Sequence, residues 1–274
     1  MLSLLALGSS LIWGASDFLA GMASRRRRPV AVVGWTQGLA LVVLTLVVAV
    51  VHGVPATGPW TPWAVGAGVA GLGGLLCFYT ALSAGTMGVI APIAGLGVVV
   101  PVVLGVAGGE RPSASAWAGM AVAVLGVTLA SGPELAAGLS VRPVALAVGA
   151  AVGFGLTLYL LDRGARDDTL LTLWGMRVTS VAVLLVVALL ARSAGGVGVR
   201  ELPGLLVIGC GDLGANALFA VASSRGQVSV ASVLGSLYPV VTAVLARVVL
   251  DERLRRVQQV GVGLAVGGAV LIAA

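Results

Sequence analysis

The chain has 274 residues, of which 59% are hydrophobic and 9% are charged, and its formal net charge is +6. Soluble domains carry about 25% charged residues, so a water-soluble fold is excluded and the long apolar runs must face hydrocarbon. All 16 basic residues are arginine and most lie at the ends of apolar runs, which predicts an integral membrane protein with no nucleic-acid partner.

Ten apolar segments of about 20 residues follow one another along the chain, and each is long enough to cross a bilayer. Charged residues, glycine or proline separate them, as expected of connectors. The expected fold class is therefore an all-α integral membrane protein with ten transmembrane helices. The predicted segments are 2–23, 30–51, 62–83, 87–107, 115–132, 143–161, 170–191, 203–224, 227–249 and 256–274.

The chain also contains an internal repeat. Segment 109–130 recurs 142 positions later, so that Gly119 matches Gly261 and Gly126 matches Gly268. The first helices of the two halves match at a spacing of 141 positions and the third helices at 140, which indicates small length differences in the connectors. This pattern predicts a duplicated unit.

Each predicted unit contains five helices, and the expected domains are residues 1–137 and 138–274. Because five is an odd number, the second unit must enter the membrane from the opposite side, so the repeat is inverted. Two inverted halves are typical of secondary transporters, whose substrate site lies between the halves near the middle of the membrane.

The arginines predict how the chain is oriented. Odd-numbered connectors hold ten arginines and even-numbered connectors hold four. Since arginine favours the cytoplasmic side, the odd connectors are expected in the cytoplasm and both termini outside. The predicted location is the cell inner (plasma) membrane, with several passes.

Three short motifs accompany the duplication. They are Trp13-Gly14-Ala15-Ser16-Asp17-Phe18 in the first helix, Tyr79-Thr80-Ala81 in the third, and Gly109-Glu110-Arg111 before the fifth. With the two five-helix halves, they resemble the EamA-like family of the drug/metabolite transporter superfamily. The resemblance implies a ten-helix carrier of small metabolites, often amino acids or related compounds moved outward, through a central cavity lined by both halves. It also implies cytoplasmic termini, opposite to the arginine count.

Asp212 is the first candidate for the site because an ionisable side chain inside the membrane is costly and usually functional. It lies near the middle of its segment, with Asn216 one turn further on the same face and Phe219 at i+7. A buried carboxylate can exchange protons, so Asp212 is predicted to bind substrate and to couple transport to protons. The alternative is that it pairs with an arginine or caps a helix break near Gly211 and Gly214.

Asp17 is the second candidate for substrate binding and coupling. Trp13 lies one turn before it, and the matching position of the second half is Leu158, so the duplication has not kept the acid. The alternative is a local ion pair with Arg25. Arg177 either binds a substrate carboxylate or offsets one of the acids Asp17 and Asp162, and the structural ion pair is the favoured interpretation.

Aromatic residues in the middle of helices are the expected lining of the cavity, with ordinary packing as the alternative. They are Trp13, Phe18, Tyr79, Tyr159, Phe219 and Tyr238. Pro92 and Pro239 interrupt the equivalent fourth and ninth segments, which predicts a gating role. Glu110 and Glu252 occupy matching corners and are expected to act as latches or caps at opposite faces.

The sequence lacks the motifs of an enzyme or a primary pump. It contains no HExxH, no GxxxxGK[ST] and a single histidine, and its two cysteines are isolated in apolar segments. We therefore expect no catalytic residues, no cofactor and no metal site. The predicted function is secondary active export by alternating access, with proton coupling left open, and the alternative is a passive uniporter or channel. The expected partners are a small-molecule substrate, membrane lipid and protons, and the protein is either a monomer or a homodimer.

Overall fold

In the computed structural model, the described residues are 1–53, 55–84, 87–130, 141–192, 195–250 and 256–273. All regular secondary structure in these ranges is helical, in agreement with the all-α prediction. The α-helices in chain order are α1 (Leu2–Arg26), α2 (Pro29–Val51), α3 (Thr61–Ala84), α4 (Met87–Gly95), α5 (Val99–Ala107), α6 (Ala114–Ala130), α7 (Val141–Ala191), α8 (Leu202–Ser224), α9 (Val228–Gly235), α10 (Tyr238–Leu250) and α11 (Arg256–Ala273).

Five helical stretches in the described ranges are long and apolar enough to cross a membrane by length and composition: Leu2–Arg26, Pro29–Val51, Thr61–Ala84, Arg142–Leu190 and Val199–Ser224. The fourth of these contains Asp168, whose backbone is not helical (φ −154, ψ 112). A Cβ atom on Gly164 would lie 2.5 Å from Thr172 Cγ2, although eight residues of straight helix span about 12 Å. The helix α7 therefore consists of two helices that meet at a sharp corner, between predicted segments 143–161 and 170–191.

The fourth and ninth predicted segments are each interrupted near their middle. A 3-10 turn, Leu96–Val98, separates α4 from α5, and a turn at residues 236–237 separates α9 from α10. These interruptions lie at matching positions of the duplication. Pro92 precedes the first of them within α4, and Pro239 follows the second as the second residue of α10.

Glycines bring the helices of the two halves into close contact in a reciprocal way. A Cβ atom on Gly14 of α1 would lie 2.5 Å from Val241 Cβ and 2.6 Å from the Tyr238 carbonyl oxygen of α10. The same contact recurs 141 positions away, between the first part of α7 and the α4–α5 segment. Its members are Gly155, Val100 and the Gly97 carbonyl oxygen.

The equivalent helices α6 and α11 pack directly against each other. Gly126 of α6 faces Ala265 of α11, and Gly268 of α11 faces Ala123 of α6. The repeat matches Gly126 with Gly268 and Ala123 with Ala265, so the same contact occurs twice with the two helices exchanged. Gly119 faces Ile272 at the far end of the pair. Since residue numbers rise along one helix as they fall along the other, α6 and α11 are antiparallel.

Connectors of the same parity contact each other. Arg27 Nε, after α1, lies 2.9 Å from Glu201 Oε1, before α8. His52 Nε2, after α2, lies 2.9 Å from Asp168 Oδ2 at the corner of α7. The first predicted connector therefore contacts the seventh, and the second contacts the sixth. If successive helices cross a layer in alternating directions, all odd-numbered connectors lie on one side of it and all even-numbered connectors on the other, which agrees with these contacts.

Buried apolar side chains form two clusters. One contains Leu161, Phe219 and Leu234, and the other contains Phe78 and Ile90. The partly buried ring of Trp13 packs against both clusters. The region around Trp13 is thus the seam at which the two parts of the core meet.

We expect Gly14→Ala to destabilise the protein by about 1–3 kcal/mol, because a methyl group has no room against a neighbouring backbone and Val241. The matched control is Gly34→Ala in α2, where nothing lies within 4 Å of an added Cβ atom. There alanine is expected to be neutral or slightly stabilising, since it favours the helix. Thermal unfolding of both purified variants tests this, and equal unfolding temperatures would contradict the close packing at Gly14.

Candidate functional site

An internal cavity lies at the seam, with an empty volume of about 770 Å³ including space that is open to the outside. Its lining comes from both halves, on α1 to α4, α7 and α8 to α10. Most lining side chains are apolar, and three are charged: Asp17, Arg177 and Asp212. A mostly apolar cavity with a few convergent polar groups is the usual form of a small-molecule site.

Asp212 joins three helices at this cavity. Its Oδ2 accepts a hydrogen bond from Arg177 Nη2, and its Oδ1 accepts bonds from Trp13 Nε1 (3.2 Å) and Asn216 Nδ2 (3.1 Å). Asn216 Nδ2 also donates to the Asp212 carbonyl oxygen at 2.7 Å. Asp212 therefore both pairs with an arginine, the alternative weighed from the sequence, and lines the cavity beside Asn216 and Trp13.

The arginine that pairs with Asp212 is almost fully buried, with 3% of its side chain exposed. Arg177 Nη1 donates to Gln37 Oε1, and its Nε has no partner among the described residues. The sequence-based expectation named Asp17 or Asp162 as the ion-pair partner, and this was wrong. Asp162 pairs instead with Arg166, at 3.1 Å.

Gln37 of α2 is a polar residue of the site that the sequence analysis missed. It is buried, lines the cavity and accepts the hydrogen bond of Arg177. A single uncharged amide inside an apolar segment was the available signal. The duplication was a second signal, because Gln37 matches Arg177 at a spacing of 140 positions.

Asp17 is buried in the cavity wall but forms no ion pair among the described residues. Its Oδ1 accepts a hydrogen bond from Tyr79 Oη at 3.4 Å. The local pair with Arg25, which was the alternative for Asp17, is not formed, and Arg25 is exposed. The hydroxyl of Tyr238, another buried lining residue, has no partner among the described residues.

The predicted aromatic lining divides into two groups. Trp13 and Tyr238 line the cavity. The others are not among its described lining residues: Phe18, Tyr79, Tyr159 and Phe219. The ring of Phe219 packs against Trp13 with centroids 5.8 Å apart, and the Tyr79 hydroxyl donates a hydrogen bond to Asp17.

Tyr159 lies away from the cavity beside Arg163. The Arg163 guanidinium sits 5.1 Å from the centroid of the Tyr159 ring, and Arg163 Nε donates to Tyr159 Oη at 3.1 Å. This arrangement is a cation–π contact near the corner of α7. Tyr159 thus has the packing role that was the alternative to substrate contact.

Glu110 links the first half to the second at the start of α9. Its Oε1 accepts the Val228 N–H at 2.7 Å, and its Oε2 accepts the N–H and hydroxyl of Ser229 at 3.1 and 2.6 Å. A carboxylate at a helix N-terminus satisfies unpaired N–H groups and favours the helix dipole. Glu110 is thus a cap, as expected, while its counterpart Glu252 lies outside the described residues.

No group of three or more His, Cys, Asp or Glu side chains in the described ranges is placed to hold a metal ion.

Comparisons with known proteins agree with this architecture. The chain matches the family described as "EamA-like transporter family" over residues 1–132 and again over residues 141–274. A solved structure described as "Crystal structure of protein" resembles the chain with a TM-score of 0.80 and 20% sequence identity, over 99% of this chain and 98% of that chain. This second likeness concerns the fold. No curated protein matches the sequence.

Proposed function

The chain belongs to the EamA-like transporter family of the drug/metabolite transporter superfamily, and from this premise we propose that it exports small metabolites, amino acids or related compounds, by alternating access. Membership makes it a multi-pass membrane transporter. We further propose that it lies in the cell inner membrane. The observation that carries the proposal is the cavity at the seam, which holds three charged side chains, two of them buried, and is lined by both halves.

We propose ten membrane crossings in two inverted halves, residues 1–137 and 138–274. The antiparallel pairing of α6 with α11 supports this, because a two-fold axis relating antiparallel helices must run perpendicular to them. A repeat related by such an axis is inverted in the membrane. The corner at Asp168 and the contacts between connectors of equal parity support the count of crossings.

The cavity is the proposed substrate site. Five of the residues that were predicted to bind substrate line this one cavity. They are Trp13, Asp17, Asn216, Asp212 and Tyr238. A solute bound there contacts both halves, so a rocking motion of one half against the other would expose it to either side in turn. Pro92 and Pro239 lie beside the interruptions of the fourth and ninth segments, and these segments are the proposed moving parts.

The two carboxylates of the cavity, Asp17 and Asp212, are proposed to have different roles, and only one of them carries the proton coupling. Asp212 accepts hydrogen bonds from three donors, including the Arg177 guanidinium, so a cation already lies beside it. No cation pairs with Asp17 in the part of the chain that the structure describes, and a lone buried charge is unfavourable in the membrane. We therefore assign proton uptake and release to Asp17, and positioning of Arg177 to Asp212.

The experiment that tests the function is transport by the purified protein in lipid vesicles. A secondary transporter is expected to exchange labelled amino acids or related compounds across the membrane and to accumulate them when a pH gradient is imposed. A passive uniporter or channel, the second candidate, would equilibrate the solute and ignore the gradient. Vesicles that move no solute faster than protein-free vesicles would contradict both.

The cap at Glu110 supports a gate at the even-numbered connectors. We expect Glu110→Ala to raise the labelling rate of Ser232→Cys by a membrane-impermeant maleimide by roughly tenfold, because each hydrogen bond to a charged group contributes about 1.5–3 kcal/mol. Ser232 is fully buried one turn into α9. The background replaces both native cysteines, Cys77 and Cys210, by alanine.

The matched control for this gate is Glu201→Ala. Glu201 is a partly exposed acid that pairs with Arg27 at the opposite set of connectors. Its removal is expected to leave labelling of Ser232→Cys unchanged. Equal labelling rates for the Glu110 and Glu201 variants would contradict the gate.

A further inference from the structure

With Asp17 ionised, the cavity carries one negative charge that nothing in its described lining balances. Its charged lining residues are two carboxylates, Asp17 and Asp212, and one guanidinium, Arg177. Arg177 is ion-paired with Asp212, so the excess charge resides on Asp17. An unbalanced carboxylate in a buried site is unfavourable, and it is stabilised by a cation that moves in beside it.

Two buried hydrogen-bond donors in the same lining also lack a partner in the described part of the chain. They are the Nε–H of Arg177 and the hydroxyl of Tyr238. Arg177 is 3% exposed and Tyr238 is 8% exposed, so neither donor is freely hydrated. Buried donors without acceptors are rare because they are costly, and a bound solute with an acceptor atom would satisfy them.

We propose that the transported solute is a monocationic amine with an apolar body and a neutral hydrogen-bond acceptor. This inference rests on the proposed transport function and names the substrate class. The ammonium group pairs with Asp17, the acceptor takes the hydrogen bonds of Arg177 and Tyr238, and the apolar body packs on Trp13 and Phe154. Such amines are related to amino acids but lack the carboxylate.

Counting charges favours a monocation over a zwitterion as the preferred solute. With Asp17 ionised, a monocation makes the occupied cavity neutral, whereas a zwitterion leaves the negative charge in place. Arg177 does not supply the missing positive charge, because Asp212 already neutralises it. A second carboxylate brought in by the solute would instead compete with Asp212 for the guanidinium.

The same carboxylate would take a proton when the amine leaves. One ammonium group and one proton carry equal charge, so their exchange at Asp17 conserves the charge of the cavity. The titratable and charged groups around Asp17 in the described ranges are Tyr79 on α3, Asp212 on α8, Tyr238 on α10 and, beyond Tyr79, Arg177 on α7. Of the two carboxylates in this group, Asp212 pairs with Arg177, and Asp17 has no cationic partner among the described residues.

Four ligands of one shape test the proposal with the wild-type protein in lipid nanodiscs. They are L-phenylalaninamide (cation), L-phenylalanine (zwitterion), 3-phenylpropionate (anion) and 3-phenylpropionamide (neutral). The cation is expected to bind roughly 30-fold tighter than the other three, as the loss of one partner of a buried charge pair predicts. In the pH range where L-phenylalaninamide is fully protonated, its affinity is expected to fall as the pH is lowered, because protons compete for Asp17.

The Asp17→Asn variant is expected to lose the preference for the cation, while Asp167→Asn keeps it. Asp167 is an exposed acid outside the cavity lining, so its replacement changes the net charge equally. A series of linear alkylamines from propylamine to octylamine is included to vary the size of the body.

Three outcomes overturn the amine proposal. Binding of L-phenylalanine or 3-phenylpropionate as tight as that of the amide cation would do so, and so would failure of every amine to bind. Vesicles that exchange amino acids but none of the amines would overturn it while leaving the transport function intact. Vesicles that move no solute of any charge above the protein-free rate would overturn the transport function itself.

Discussion

Vesicles containing Asp17→Asn are expected to show no proton movement when substrate is added outside, whereas the interior of wild-type vesicles is expected to become more alkaline as protons leave in exchange for substrate. Asp17 is buried, accepts a hydrogen bond from Tyr79 and lacks a cationic partner in the described ranges. Asparagine preserves the shape and the acceptor for Tyr79 but cannot bind a proton. A pH-sensitive dye inside the vesicles measures the effect, which is expected to reach the level of protein-free vesicles.

The control for this variant is Asp167→Asn, which removes an exposed acid before the corner of α7. It is expected to move protons at the wild-type rate. Proton movement at the wild-type rate in Asp17→Asn would contradict the assignment of Asp17 as the proton-coupling residue. If Asp212→Asn alone abolished proton movement, the coupling group would be Asp212 instead.

Arg177→Met is expected to destabilise the protein by about 3–5 kcal/mol, because removing one partner of a buried ion pair leaves the other uncompensated. Asp212 would then keep its bonds from Trp13 and Asn216 but lose its cation. Asp212→Asn, which strands the guanidinium, is expected to be destabilising for the same reason. Thermal unfolding of the purified variants measures both effects.

The double variant Arg177→Met/Asp212→Asn separates stability from transport. Since it removes both charges, it is expected to recover most of the lost stability, which a double-mutant cycle quantifies. Exchange of substrate is expected to be abolished, because the guanidinium donors of the cavity are gone. A stable double variant that transports at the wild-type rate would make the pair purely structural. Likewise, Asp212→Asn with normal exchange and normal proton-driven accumulation would remove Asp212 from the site.

The helices were predictable because composition and spacing act locally. The predicted segments 62–83 and 203–224 differ by one residue or less at each end from Thr61–Ala84 and Leu202–Ser224. The duplication likewise predicted that the fourth and ninth segments would be interrupted alike. The sharp corner at Asp168 was predicted only as a connector, since nothing in a charged stretch indicates that helical hydrogen bonding continues so close to the turn.

The cavity lining was predictable for residues whose presence in an apolar segment is itself unusual. Asp17 and Asp212 were identified in this way, because an ionisable side chain inside the membrane is costly and is usually either paired or functional. The partner of Arg177 could not be predicted, since it depends on how α7 packs against α8. Phe18 follows Asp17 directly and yet lies outside the cavity, because each residue turns the helix by about 100°.

Gln37 and Arg177 occupy matching positions of the duplication and touch each other across the seam. In a symmetric assembly of two identical polypeptides, the two positions would hold the same residue, so each side chain would contact its copy in the other polypeptide. Two glutamines satisfy one another there, whereas two guanidiniums repel. Two identical chains that met in this way could therefore hold no single cation at this contact. In the present chain the two matching positions differ, and Arg177 pairs with Asp212.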